Sequence, residues 1–177
     1  MPVEEEIKLK PKNIGINELR RIFKDLGAVF HDLVIDYDIY YIHPCRDLWA
    51  SDEVIRLRKR ISKIHGTEEY ILTYKGRRTI SEGIKAREEI EVYISSYEQM
   101  NLILKRLGFR ELITIVKERF IYGYHDAILS IDNVKDLGVY VEIEGSRAII
   151  NEILDRLDFS YDIIEKTYLE LLLDKVL

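Results

Sequence analysis

Cysteine occurs once, at Cys45, which excludes a disulfide framework and a cysteine-built metal cluster. No stretch rich in proline, glycine and serine interrupts the chain, so no linker or domain boundary is placed. Apolar runs long enough to cross a bilayer are missing, and the first residues are acidic where a secretory leader would be basic and then apolar. These absences predict a cytoplasmic protein with no membrane partner. A basic excess is also missing: the net charge is −5, which argues against a nucleic-acid partner, because phosphate-backbone affinity needs a net basic face. Neither a Walker loop nor a Rossmann glycine pattern is present, so any nucleotide is held without a helix N-terminus. His31, His43, His65 and His125 lack metal-ligand spacing. Glutamine is nearly absent (Gln99 alone), while Lys, Glu, Arg and Ile are abundant, a bias resembling that of thermophiles.

What the 177 residues do contain is enough apolar material for a core, 47% hydrophobic, beside 33% charged residues that need a wet surface or a wet interior. Four stretches carry helical periodicity. In "INELRRIFKDLG", Leu19, Ile22, Phe23 and Leu26 share a face, with Asn17 placed to cap the start and Gly27 to end it. "SSYEQMNLILKRLG" repeats the design with Met100, Ile103, Leu104 and Leu107 before Gly108. "SRAIINEILDRLDF" does so from Ser146, and the tail from Tyr161 onward reads as a fourth amphipathic helix. All four are assigned to the core. Segments 3–10, 33–41, 53–61, 69–75, 85–94, 112–122, 127–132 and 138–144 alternate or have strong β-propensity. Strands that mostly follow one another directly predict an antiparallel sheet in an α+β fold.

The polar faces of these strands are sorted by sign. The first, "VEEEIKLK", presents Glu4, Glu6, Lys8 and Lys10 against Ile7 and Leu9. Arg56, Arg58 and Arg60 share one face of the third, Lys75 lies on the fourth, and Lys117 and Arg119 lie on the sixth. Arg87, Glu89 and Glu91 alternate along the fifth, and Glu142 and Glu144 along the last. A half-solvated antiparallel sheet also alternates, but exposed faces usually mix signs and include Ser, Thr and Gln. Chemistry gives the sorting a purpose. Arg and Lys match the oxygens of a triphosphate, while carboxylates can hold a hard divalent cation that bridges those oxygens. A closed ring of strands with both sets pointing inward would satisfy every group; empty, it must hold water, because unpaired buried ions cost several kcal/mol each.

The Glu4-x-Glu6-x-Lys8 triplet resembles the signature of the CYTH superfamily, which groups class IV adenylyl cyclases with thiamine triphosphatases. The resemblance continues through "DIYYIHPCRD", "IRLRKR", "LTYKG", "REEIE", Lys117-x-Arg119-x-x-Tyr122, "SIDNVKDLGVYVEIE" and "TYLELLLDK", essentially the whole chain. The His-Pro-Cys-Arg element resembles the archaeal cyclase-like branch. Arg77 stands where the family often has Pro, and Tyr41 where it has Phe.

The resemblance implies a single CYTH-like domain over 1–177, folded as an eight-stranded antiparallel β tunnel with flanking helices. It implies that Lys8, Arg56, Arg58, Lys75, Arg87, Lys117 and Arg119 bind the triphosphate. Glu4, Glu6, Glu142 and Glu144 would hold Mg2+ or Mn2+, with Glu89, Glu91 and Asp132 as metal ligands or their supports. No catalytic residue apart from these is expected. The implied activity is cyclisation of ATP to cyclic AMP and pyrophosphate; the alternative is hydrolysis of thiamine triphosphate, tripolyphosphate or a nucleoside triphosphate. A non-catalytic polyphosphate or nucleotide binder needs the bases but not the carboxylates. Whether the chain forms a homodimer is open. Arg60 and Lys10 are placed at the tunnel mouth, Trp49 in packing rather than in adenine stacking, and Cys45 in a loop without a nucleophilic role.

Overall fold

The computed structural model describes residues 3–176. Its first half runs β1 (Val3–Pro11), α1 (Ile16–Leu26), β2 (Val29–Ile42), β3 (Val54–Ser62), β4 (Glu68–Lys75), β5 (Thr79–Ser81) and β6 (Ile84–Tyr93). Its second half runs α2 (Tyr97–Arg106), β7 (Arg110–Tyr124), β8 (Ala127–Val134), β9 (Gly138–Glu144), α3 (Arg147–Arg156), β10 (Tyr161–Ile163) and α4 (Tyr168–Val176).

Eight strands close into an antiparallel ring in the order β1-β9-β8-β7-β2-β3-β4-β6 and back to β1. The seam is made by β1 alone. Glu6 to Leu9 pair with Glu144 to Val141 of β9, while Val3 to Glu6 pair with Glu88 to Lys85 of β6. Closure removes the free sheet edges that would otherwise invite aggregation.

Alternation then decides what faces where. On the outside, Ile7, Leu9, Leu129, Ile131, Val141 and Ile143 are fully buried under Leu19 and Phe23 of α1 and Ile150 and Ile153 of α3. Leu104 of α2 covers Ile39 and Leu57 on another part of the wall. On the inside, one end of the barrel turns apolar. Ile115, Val134 and Tyr140 receive Tyr168, Leu169 and Leu172, so α4 acts as a stopper. The remaining inner face is ionised.

The eight ring strands match the eight expected from alternation; β5 and β10 are additional. β5 is half of a hairpin whose two turn residues, Glu82 and Gly83, both have positive φ (54° and 78°), as a type I′ turn requires. A Cβ on Gly83 would lie 2.5 Å from Ile163 Cγ2, so glycine also makes room for β10.

The tail is corrected: Tyr161–Ile163 is a strand paired with Leu9–Pro11, and the helix begins at Tyr168. Its start is a capping box, in which Thr167 Oγ1 accepts from Glu170 N at 3.2 Å and Glu170 Oε2 accepts from Thr167 N at 2.6 Å. Asn17 is not a cap, because α1 begins at Ile16 after Gly15 with no side-chain cap bond. Gly27 ends that helix in the left-handed region as expected (φ 97°). The apolar face of α2 is not core throughout, since Ile103 and Leu107 are exposed.

Candidate functional site

Period-two alternation points one set of side chains from all eight ring strands toward a shared cavity of about 640 Å3. Lys8, Arg56, Arg58, Lys75, Arg87, Lys117 and Arg119 all line it, and so do Glu4, Glu6, Glu142 and Glu144. Glu89 and Glu91 line it as well, whereas Asp132 lies fully buried behind Arg119. Arg60, expected at the mouth, is part of the lining. Lys10 is turned away from the cavity: its Nζ donates to Leu137 O at 3.1 Å and sits 3.9 Å from the centre of the Tyr140 ring.

The arginines are braced from behind. Arg58 Nε and Nη2 donate to Asp38 at 2.6 and 2.8 Å, and Arg60 uses the same edge on Asp36 at 2.8 and 2.9 Å. Arg119 does so on Asp132, both bonds at 2.6 Å, and Tyr168 Oη of the α4 stopper donates to Asp132 at 3.0 Å. In each fork the Nη1 side remains for another acceptor. A bidentate pair fixes the guanidinium plane, so the remaining donors point in a set direction. Asp36 and Asp38 were not anticipated. Their signal was available, because they alternate with Tyr37 along β2 as the lumen residues do on other strands. Lys85 was missed in the same way: it lies two residues before Arg87, fully within the wall, with Nζ 2.8 Å from Glu6 Oε1.

The front of the cavity is a provisional set of ion pairs. Lys75 Nζ reaches Glu89 at 2.5 Å and Glu4 at 3.1 Å. Arg56 lies 3.0 Å from Glu91 and 3.6 Å from Glu89, and Lys8 lies 3.3 Å from Glu142, which also contacts Arg119. These pairs do not fully offset the cost of burying the lysines. Burial pushes the Lys8 ammonium down to about 8 against the pull of Glu142. Lys117 is also lowered, by burial and then by neighbouring Arg119, and Lys75 is lowered mainly by burial. An anion among them would restore all three. Arg56 Nε and Arg87 Nη1 are buried without an acceptor.

One step along the same β1 and β9 ladder from Lys8 and Glu142, two acids meet. Glu6 and Glu144 face each other directly across β1 and β9, a like-charge pairing that costs stability. Burial, then Glu4, which shares a hydrogen bond with it, and Glu6 push the Glu144 carboxyl up to about 7. Burial would raise Glu6 as well, but the ammonium groups of Lys85, Lys8 and Lys75 together outweigh it and hold Glu6 at about 2. Among the described residues no three carboxylate or imidazole groups already stand at metal-ligand spacing. The donors are nonetheless all carboxylate oxygens, and Glu4, Glu6 and Glu144 crowd one another, a set whose hard oxygens fit a divalent cation such as Mg2+ or Mn2+.

No helix among the described residues is long and apolar enough to cross a membrane. Comparison with known proteins places this geometry. The chain is 38% identical to "Putative adenylate cyclase MJ0240" of Methanocaldococcus jannaschii over 96% of its own length and 97% of that protein's. The structure of the PH1819 protein from Pyrococcus horikoshii superposes with a TM-score of 0.83 at 34% identity, covering 97% of this chain and 99% of that one. HpAC1 of Hippeastrum, described as a "Putative adenylyl cyclase" with a dominant triphosphatase activity, shares the fold: TM-score 0.72, 16% identity, 97% of this chain and 96% of that one. The sequence model of the CYTH domain matches residues 3–170, the whole ring and the start of its stopper helix, and the chain belongs to the CYTH family.

Proposed function

We propose that this protein binds a triphosphate in the barrel and acts on it as an adenylyl cyclase, converting ATP to cyclic AMP and pyrophosphate. The observation that carries the reading is the lumen itself: eight bases line one cavity together with four glutamates on the same β1 and β9 seam. Arg58 and Arg119, braced by Asp38 and Asp132, would take non-bridging phosphate oxygens through their remaining donors. Lys75 and Arg56 would exchange Glu89 and Glu91 for phosphate, and the charged forms of Lys8 and Lys117, disfavoured by burial, would be stabilised beside it. Fixing the phosphate chain at several points leaves the α-phosphorus in line with the ribose 3′-oxygen, whose attack expels pyrophosphate. Glu4, Glu6, Glu142 and Glu144 would hold Mg2+ or Mn2+, which when bound supplies charge neutralisation and activation of the attacking oxygen.

Hydrolysis is the second reading, favoured by the triphosphatase activity ascribed to the HpAC1 neighbour. The same bases serve it, with water attacking the terminal phosphorus. The test is incubation with ATP, thiamine triphosphate and tripolyphosphate in Mg2+ or Mn2+, with identification of products. Cyclic AMP with pyrophosphate establishes the cyclase, and orthophosphate the hydrolase. Saturable binding without turnover of any of the three leaves a binding protein.

A further inference from the structure

Beside the lumen lies a second cavity of about 870 Å3, within the size range of small-molecule sites. Tyr40, Val54, Arg87, Thr167 and Leu169 line both, so the two cavities adjoin. Arg87 Nη1 is buried without an acceptor at this shared wall.

The chamber is built from three chain segments tied by one residue. Arg78 forks onto Glu170 of α4 at 2.7 and 2.5 Å, and its backbone N–H donates to Asp52 in the β2–β3 loop at 3.1 Å. That loop is pinned again by Glu53, a buried carboxylate that accepts from Arg46 at 2.7 Å, from Ser51 and from Tyr74. Yet Trp49, on the same fixed loop and on the chamber wall, is 56% exposed, which reverses its sequence reading as a packing residue. Arg77, also on the wall, is exposed and has no ion pair among the described residues. A rigid frame thus presents a flat aromatic surface and an uncommitted guanidinium next to an anion site. Both groups stack on planar rings.

Resting on the triphosphate reading above, we propose that this chamber receives the planar organic group carried at one end of the triphosphate. Trp49 and Arg77 there select an organic triphosphate, such as a nucleoside triphosphate, over inorganic tripolyphosphate. No bond changes in the chamber; it contributes binding and discrimination alone.

Trp49 is the sole tryptophan, so its fluorescence reports this chamber directly. In the full chain with Mg2+, ATP is expected to change Trp49 emission, whereas tripolyphosphate binds by calorimetry with little change. Trp49→Ala should weaken ATP binding by about 10-fold or more and leave tripolyphosphate affinity unaltered. Trp49→Phe, which keeps a stacking face, should recover most of the loss, and Arg77→Ala should again weaken ATP alone. Silent fluorescence with ATP bound, or equal weakening of both ligands by Trp49→Ala, overturns the chamber while leaving the lumen reading intact. Failure of tripolyphosphate as well as ATP to bind the unaltered chain overturns both.

Discussion

Asp38→Ala isolates the bracing of the lumen arginines. Asp38 is 1% and Arg58 5% exposed, and the two bonds between them are short. Removing one partner of such a buried pair costs about 3–5 kcal/mol, because the survivor is left charged and desolvated. Two features of the site pull the value to the lower end: Arg58 borders the cavity, and Asp36 Oδ2 stays 3.5 Å from its Nε. About 3 kcal/mol is therefore expected, read as a shift in urea midpoint at constant slope and as a fall in Tm of roughly 6–12 °C for a chain of this size. The double variant Asp38→Leu/Arg58→Met removes both charges and should recover most of that stability. Its affinity for tripolyphosphate should stay about 10-fold below that of the unaltered chain, since a braced donor is gone. A loss under about 1 kcal/mol in Asp38→Ala, or a double variant as unstable as the single, would show that Asp38 does not shield a lone buried cation.

Glu6→Ala and Glu142→Ala should each abolish metal-dependent turnover while circular dichroism keeps the β signature; retained turnover removes that carboxylate from the metal set. Lys75→Ala and Arg119→Ala should weaken triphosphate binding by about 10- to 100-fold in calorimetry, and unchanged affinity excludes the residue. Burial would raise Glu170, but the Arg78 hydrogen bond and the Thr167 cap outweigh it and bring it from 4.5 to about 2. A depressed carboxyl contributes stability that is full above about pH 4.5 and is lost as pH falls toward 2. Urea titrations from pH 6 to pH 2 should therefore show a smaller acid loss in Glu170→Gln than in the unaltered chain, and equal slopes would refute the link.

The ring was legible because alternation is strict where one strand face is apolar and packed and the other is ionised. That is why Ile7 and Leu9 set the facing of Glu6 and Lys8 correctly. β10 was not, because three residues carry no period, and its place depends on the β6-side edge of β1 being free beyond Glu6. The helical pattern of the tail masked it, although Thr167 and Glu170 already marked the true start. Asp36 and Asp38 were overlooked for a different reason. Acids on a base-bearing wall contradict simple sorting by sign, and their role, bracing arginines from behind, appears only once β2 is seen paired with β3. Trp49 was misread because a lone tryptophan in a loop gives no period at all; only the cavity beside it reveals its exposure. Sequence likewise gave no cue that α2 leaves Ile103 and Leu107 uncovered, since amphipathic spacing specifies a face and not its partner.

The seam on β1 has a consequence for biosynthesis. Glu6 must meet Lys85 on one side and Glu144 on the other before the ring exists. Pairings so distant along the chain are slow to form, because loop closure precedes any gain in contacts. A nascent polypeptide still on the ribosome before residue 144 has emerged therefore has its amino-terminal strand waiting, with the cationic half of the pocket translated and the anionic half incomplete. Ligand competence should arise abruptly and late in translation, as a property of the finished chain and not of any fragment of it.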